Sequence, residues 1–181
     1  LKWAASADGF IDRCRTLDAE GNPIGRPAQL STPTTLLRVH RLRAEHEAIL
    51  VGRRTFELDR PALTVRHWPG RSPLRCVLGS VDERALQAGF QAFADIDSLL
   101  DAFRRDRVQS LFVEGGSRLL QSFIERDLWD EAWEERSTVR LVDGVPAPTM
   151  PAEFVPEEET HFGTRYRHWR SPVLQQHYVD F

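Results

Sequence analysis

Short apolar runs that stop at glycine and give way to helix-patterned segments recur between residues 30 and 125, and this alternation most narrows the folds open to the chain. Glu47-Ala48-Ile49-Leu50-Val51 stops at Gly52, and Arg53 to Leu58 then reads as a short helix or turn. Ser110-Leu111-Phe112-Val113-Glu114 stops at Gly115-Gly116, and Ser117 to Arg126 follows with Leu119, Leu120 and Phe123 on one face. Strands alternating with helices predict an α/β layer fold.

The flanking segments fill in the pattern. Leu1 to Ser6 is a short apolar strand ending at the turn signal Ala7-Asp8-Gly9, and Gly9-Phe10-Ile11 starts a second. Residues 12–29 are loop-rich. Ser31 or Thr32 can cap a helix with Pro33 in its first turn, running to about Glu45. Arg75 to Leu78 is a strand, and Asp95 to Arg105 a helix with Ile96, Leu99, Leu100 and Phe103 on one face. Trp129 to Leu141 is strand-like but strongly charged, and His161–Tyr166 and Val173–Val179 are read as antiparallel strands. The sheet is therefore expected to be mixed, and no linker splits the chain, which is read as one domain over 1–181.

Composition limits the function. The chain has 181 residues, 41% apolar and 28% charged, enough to bury a core without staples. No run approaches the ~20 apolar residues of a membrane span, and the N-terminus lacks a signal peptide's layout. Cys14 and Cys76 cannot build a disulfide framework or a cysteine-rich zinc site, so a cytoplasmic location is expected. Leu1 opens directly into a strand and Met150 is the sole methionine, as expected of a piece of a longer protein. A net charge of −3 gives no reason to expect nucleic-acid binding. The basic clusters Arg38–Arg43, Arg53–Arg54 and Arg104–Arg107 are read as solvated helix faces or, at most, a pocket for small phosphates. The six histidines show no metal-ligand spacing, and neither a Walker A motif nor a G-x-S-x-G elbow is present.

Three segments carry candidate chemistry. Val113-Glu114-Gly115-Gly116-Ser117 runs a strand through two glycines into a helix, where free backbone N–H groups can meet a phosphate; a tight turn without a ligand explains the pattern equally well. In Val51-Gly52-Arg53-Arg54-Thr55 the arginines and the hydroxyl can hold a phosphate, or simply start a helix. Two such strand ends in one α/β domain are more suggestive than either alone, because ligands of open α/β sheets bind beyond the carboxyl ends of strands. Asp59 and Arg66 flank the loop Arg60-Pro61-Ala62-Leu63-Thr64-Val65, as a ligand grip or as a capped turn with a surface ion pair.

Taken in order, Leu1-Lys2-Trp3-Ala4-Ala5-Ser6-Ala7-Asp8-Gly9, Arg43-Ala44-Glu45, Ala48-Ile49-Leu50-Val51-Gly52, Thr55, Asp59, Pro61-Ala62-Leu63-Thr64-Val65-Arg66 and Val113-Glu114-Gly115-Gly116 resemble one family. It is the reductase domain of the bifunctional riboflavin-biosynthesis deaminase–reductases, and the resemblance covers residues 1 to about 131. It implies a dihydrofolate-reductase-like three-layer α/β/α fold with a mixed, mostly parallel central sheet and antiparallel C-terminal strands. It implies NADPH-dependent reduction of 5-amino-6-(5-phosphoribosylamino)uracil to the ribitylamino product, with hydride delivered to ribose C1′. Lys2, Glu114 and Asp59 are then catalytic candidates. Ala4, Gly52, Arg53, Arg54, Thr55, Asp59, Ser80, Gly115, Gly116, Ser117, Arg118 and Leu119 match cofactor-binding positions. Arg43, Leu63, Arg66 and Glu114 match substrate-contacting ones.

The run Pro27-Ala28-Gln29-Leu30-Ser31-Thr32 departs from the family's Ser-x-Trp-Ile-Thr-Ser, and Arg60 adds charge between Asp59 and Pro61. These changes keep open a reductase of another pterin or pyrimidine, and a catalytically silent dimerisation or scaffold domain. No metal site is expected, since the deaminase's zinc motif is absent from this sequence. A homodimer is expected, with Trp129 and Trp133 as candidate anchors or as core residues, as is a deaminase domain fused or paired in the full protein.

Overall fold

The computed structural model describes residues 1–161 and 163–172. In chain order the elements are β1 (Lys2–Ala5), β2 (Phe10–Asp12), β3 (Thr16–Leu17), β4 (Pro23–Ile24), α1 (Pro33–Glu45), β5 (Ala48–Gly52), α2 (Arg53–Asp59), β6 (Leu74–Leu78), α3 (Glu83–Gln87), β7 (Phe90–Phe93), α4 (Ile96–Asp106), β8 (Leu111–Val113), α5 (Ser117–Glu125), β9 (Glu131–Arg136), β10 (Val145–Pro146), β11 (Glu157–His161) and β12 (Thr164–Arg170). The chain divides into two compact units. One comprises Leu1–Cys14, Arg26–Thr32 and the described residues from Ser117 onward; the other comprises Arg15–Gly25 and Pro33–Gly116.

The second unit is the α/β part that the glycine-stopped runs predict. Its four-stranded sheet has the order β7-β6-β5-β8 and is parallel throughout. The inner strand β5 is buried from Ala48 to Val51, because both of its faces and both of its edges are covered. Its core gathers Val39 of α1, Ile49 and Val51 of β5, Phe56 of α2, Val77 of β6 and Phe112 of β8. Helix α4 starts on a capping box, in which Asp95 accepts from the Ser98 N–H and the Asp95 N–H donates back to Ser98 Oγ. It ends at Arg107, whose left-handed φ of 59° returns its N–H to the Phe103 carbonyl.

The first unit holds a mixed sheet of order β1-β9-β12-β11. Strands β1 and β9 are parallel, with Lys2 opposite Trp133 and Ala4 opposite Glu135. Strands β9, β12 and β11 run antiparallel. Helix α5 belongs to this unit and buries Leu119, Leu120, Phe123 and Ile124. The expected mixture of parallel and antiparallel strands is present, divided between two four-stranded sheets.

Several local expectations change. A turn at Gly163 (φ 77°) falls inside the segment His161–Tyr166 expected to be one strand, so β11 ends where β12 begins. The polar run Glu157-Glu158-Glu159-Thr160 gave no alternation from which to predict β11. The region 12–29 contains the two-residue ribbon β3–β4, and β2 pairs with β10. Helix α3 and strand β7 were not predicted either, because five- and four-residue elements carry too little periodicity. The expected strand Val173–Val179 lies outside the described residues. Among the described residues no helix is long and apolar enough to cross a membrane.

Candidate active site

Three adjacent strands of the parallel sheet, β6, β5 and β8, end on one edge, and each ends at a glycine turn. Strand β6 runs into Gly79-Ser80, β5 into Gly52-Arg53-Arg54-Thr55, and β8 into Glu114-Gly115-Gly116. The Glu114 N–H donates to the Leu50 carbonyl at 2.9 Å, carrying the β5–β8 ladder one residue further. Gly79 (φ 112°) is so close to α2 that a Cβ there would lie 2.8 Å from Arg53 Cβ. Gly115 (φ 112°) faces Thr55, and a Cβ there would lie 3.7 Å from Thr55 Cγ2. The turns predicted separately from the sequence are therefore neighbours, as parallel pairing requires.

This edge fits a phosphate-bearing dinucleotide. Gly115 and Gly116 have positive φ, which opens backbone N–H groups to a ligand where a side chain would stand, whereas the Gly79 N–H is taken by the Phe93 carbonyl at 2.7 Å. Thr55 is partly exposed and Ser80 exposed, so both hydroxyls are accessible. Arg53 is exposed and bonded along its own helix, through Nε to Glu57 Oε1 at 2.6 Å. Arg54 is tied down differently, with Nη2 donating to the Arg15 carbonyl at 2.8 Å.

Beside this edge, α1 supplies Arg43. Its Nε and Nη2 donate to Glu114 Oε2 at 3.0 and 2.6 Å, and its Nη1 donates to the Thr64 carbonyl at 3.2 Å. One turn earlier on α1, buried His40 accepts the Arg66 N–H on Nδ1 at 3.1 Å and meets the His67 ring edge-on at 4.8 Å. Burial first, and then the charges of Arg43, His67 and Arg66, push the His40 pKa down to about 4. The loop from Leu63 to His67 is thus pinned to α1 at two points, and the Arg66 side chain is left exposed. Leu63, matched to a substrate-contacting position, has its side chain in the core at 2% exposure and its backbone at φ 53°.

Asp59 is held by a residue that sequence reading missed. Arg15, nearly buried, donates from Nη2 to Asp59 Oδ1 at 2.6 Å and from Nη1 to the Leu58 carbonyl at 3.4 Å. A single arginine in an unpatterned loop gives no sequence signal.

In the first unit, Lys2 Nζ donates to Glu135 Oε2 at 2.9 Å, and both side chains are buried. The Ser31 hydroxyl donates to the same oxygen at 2.9 Å. Glu135 was also missed, although it stands in the charged strand that the sequence marked as unusual. Ala4 lies beside it in register on β1 and is partly exposed. In the first turn of α5, Ser117 is partly exposed, Arg118 exposed and Leu119 buried. Trp129 is a core residue, edge-on to Phe154 at 5.3 Å, whereas Trp133 stacks on His168 at 3.5 Å. A cavity of about 750 Å³ in this unit is lined by Trp3, Glu134, Phe154, Arg167 and Trp169 among others, and by none of the candidate residues.

Known proteins share this fold. The model of the RibD C-terminal domain family matches residues 1–133. The riboflavin biosynthesis protein RibD of Corynebacterium ammoniagenes is 26% identical over 163 residues, covering 83% of this chain and 46% of the relative. The 2,5-diamino-6-ribosylamino-4(3H)-pyrimidinone 5′-phosphate reductase of Aquifex aeolicus is 27% identical over 147 residues, covering 62% and 65%. The crystal structure of a diaminohydroxyphosphoribosylaminopyrimidine deaminase/5-amino-6-(5-phosphoribosylamino)uracil reductase from Thermotoga maritima superposes with a TM-score of 0.70 at 23% identity, covering 94% of this chain and 55% of that one. The chain thus spans between about half and two thirds of the length of these relatives. It belongs to the RibD C-terminal domain family, the reductase domain of riboflavin biosynthesis, and has that domain's dihydrofolate-reductase-like α/β fold.

Proposed function

We propose that this chain acts as a single reductase domain that uses NADPH to reduce a ribosylamino-pyrimidine 5′-phosphate, delivering hydride to ribose C1′. The 5-amino-6-(5-phosphoribosylamino)uracil expected from the sequence is the first substrate to consider. The observation that carries the reading is the row of glycine turns on adjacent parallel strand ends, with Arg43 clamped to Glu114 beside it.

Bound NADPH supplies the hydride. The chain's own residues bind and orient. Gly52, Thr55, Ser80, Gly115, Gly116 and the first turn of α5 present backbone donors and hydroxyls to the dinucleotide, and exposed Arg53 supplies positive charge for a 2′-phosphate. Ala4 is assigned to the same ligand. Asp59, fixed by Arg15, accepts from a ligand hydroxyl or amine. Arg66, exposed on a loop anchored by His40, and Arg43 grip the 5′-phosphate of the substrate. Leu63 acts through the backbone shape of this loop. Glu114 holds a sugar hydroxyl or relays a proton, its position set by the Arg43 fork. Lys2, held by Glu135, is assigned to the ribose O4′ as the sugar ring opens.

The names of the relatives keep two substrates in view, since the Aquifex aeolicus relative is described as acting on the 2,5-diamino-pyrimidinone. Both carry the ribosylamino 5′-phosphate that Arg43 and Arg66 address, and Pro27 to Thr32 and Arg60 are the positions where discrimination would reside. The test is NADPH oxidation followed by absorbance with each compound in turn, wild type beside Glu114→Gln. Turnover of one compound that collapses in the variant supports the reading. NADPH binding with turnover of neither points to a different pyrimidine or pterin, and absence of both overturns the enzyme reading in favour of a silent domain. A homodimer, a cytoplasmic location and a deaminase domain in the full protein are further proposals, which sedimentation, fractionation and the full-length gene product test.

A further inference from the structure

The hairpin β11–β12 assembles what the histidine spacing did not suggest. Its register sets His168 opposite Glu157, and Glu159 lies two residues along on the same face. One ligand atom from each of the three side chains lies within 4.8 Å of the others.

His168 is the informative member. It is 2% exposed, and Trp133 is stacked flat against its ring at 3.5 Å. Its Nε2 lies 3.2 Å from Glu131 Oε2, an oxygen that also accepts the Trp133 indole N–H at 3.2 Å. A carboxylate only accepts, so Nε2 carries the proton of the neutral ring. Nδ1 then presents a lone pair. That buried atom has no hydrogen-bond partner and points at Glu159 Oε1, 3.6 Å away. A lone pair facing a carboxylate oxygen is repulsive unless a cation lies between them.

The charges agree. Glu131, Glu157 and Glu159 surround the ring, countered by Arg170, whose Nη1 holds Glu157 Oε1 at 2.6 Å, with His161 Nε2 on Glu159 Oε2 at 2.5 Å. The geometry also agrees. The 3.6 Å between Nδ1 and Oε1 is close to the edge of about 3.4 Å of a tetrahedron around zinc, and a carboxylate oxygen of Glu157 lies within 4.8 Å of both. A ligand histidine whose other nitrogen donates to a carboxylate is the usual way in which proteins fix the ligating tautomer.

We propose that His168, Glu157 and Glu159 form a binding site for one divalent transition-metal ion of the zinc class, with Glu131 as the carboxylate that orients His168. The ion ties β11 to β12.

Zinc chloride is titrated calorimetrically into metal-free full chain, and cobalt(II) into a parallel sample for its visible spectrum. The expected result is one equivalent of zinc bound, a higher Tm with zinc, and cobalt bands of four- or five-coordinate strength. Glu159→Gln and Glu157→Gln should each weaken binding at least tenfold while the circular dichroism stays that of the wild type. These two variants make the case even if His168→Gln fails to fold. No saturable binding, or equal binding by wild type and both glutamine variants, overturns the proposal.

Discussion

Two nitrogens of Arg43 converge on a single oxygen of Glu114, at 3.0 and 2.6 Å, so the guanidinium and the carboxylate are positioned by each other. Both side chains are largely shielded, at 12% and 18% exposure, and the pair bridges α1 to the turn after β8. Glu114→Gln keeps the shape and removes the charge. The expected result is a loss of at least 100-fold in kcat/KM for NADPH oxidation with Tm within a few degrees. Arg43→Lys should raise KM more than it lowers kcat, because a lysine cannot fork.

The two adjacent arginines of α2 should behave differently. Both are exposed, but Arg53 is bonded along its own helix to Glu57, whereas Arg54 is bonded to the backbone at Arg15. Arg53→Ala alone should reduce the preference for NADPH over NADH at least fivefold. Arg54→Ala should leave that ratio nearly unchanged and lower stability by about 1 kcal/mol, the worth of one hydrogen bond. Steady-state kinetics with both cofactors, beside urea unfolding, separate the two roles.

Gly79→Ala tests the close approach on the strand edge. The new methyl would sit 2.8 Å from Arg53 Cβ on a backbone at φ 112°. Strain at such a position costs about 1–3 kcal/mol, so the urea midpoint should fall, and NADPH affinity should fall with it.

Glu135→Gln leaves the buried Lys2 ammonium without its counter-ion. Removing one partner of a buried pair costs about 3–5 kcal/mol. The double variant Lys2→Met/Glu135→Leu should recover part of that loss in chemical denaturation while activity stays abolished. Full activity in the double variant would exclude Lys2 from the chemistry.

His40 gives the fold a pH dependence of known sign. Its folded pKa of about 4 lies below the ordinary 6.5, so between these values the unfolded chain binds more protons than the folded one. Its contribution is complete above about pH 6.5 and is lost as pH falls towards 4, by up to about 1.4 kcal/mol per unit. In His40→Asn, which keeps an acceptor for the Arg66 N–H, this part of the slope should vanish.

What could be read from the chain follows where the apolar pattern is dense. Strands β5 and β8 and the helices after them emerged within a residue or two, because buried runs and glycine stops are local signals. The glycine stops at Gly52 and Gly115-Gly116 emerged with them. Arg15 and Glu135, the partners of Asp59 and Lys2, did not, since each acts across a long stretch of chain and neither belongs to a spacing rule. Leu63 shows the converse: its position matched a substrate contact, while its side chain fills the core. The His168 cluster is set by hairpin register, which a run of glutamates does not announce.

The parallel pairing of β1 with β9 also has a kinetic consequence. Lys2 waits for Glu135, 133 residues further along the chain, whereas β5, β6, β7 and β8 all lie between them. On a ribosome adding about 5–20 residues per second, β1 thus waits for its partner while all four strands of the other sheet emerge. The β5–β8 sheet can assemble while Trp3 and its apolar neighbours are still exposed, and in that interval these residues are open to aggregation and to chaperone capture.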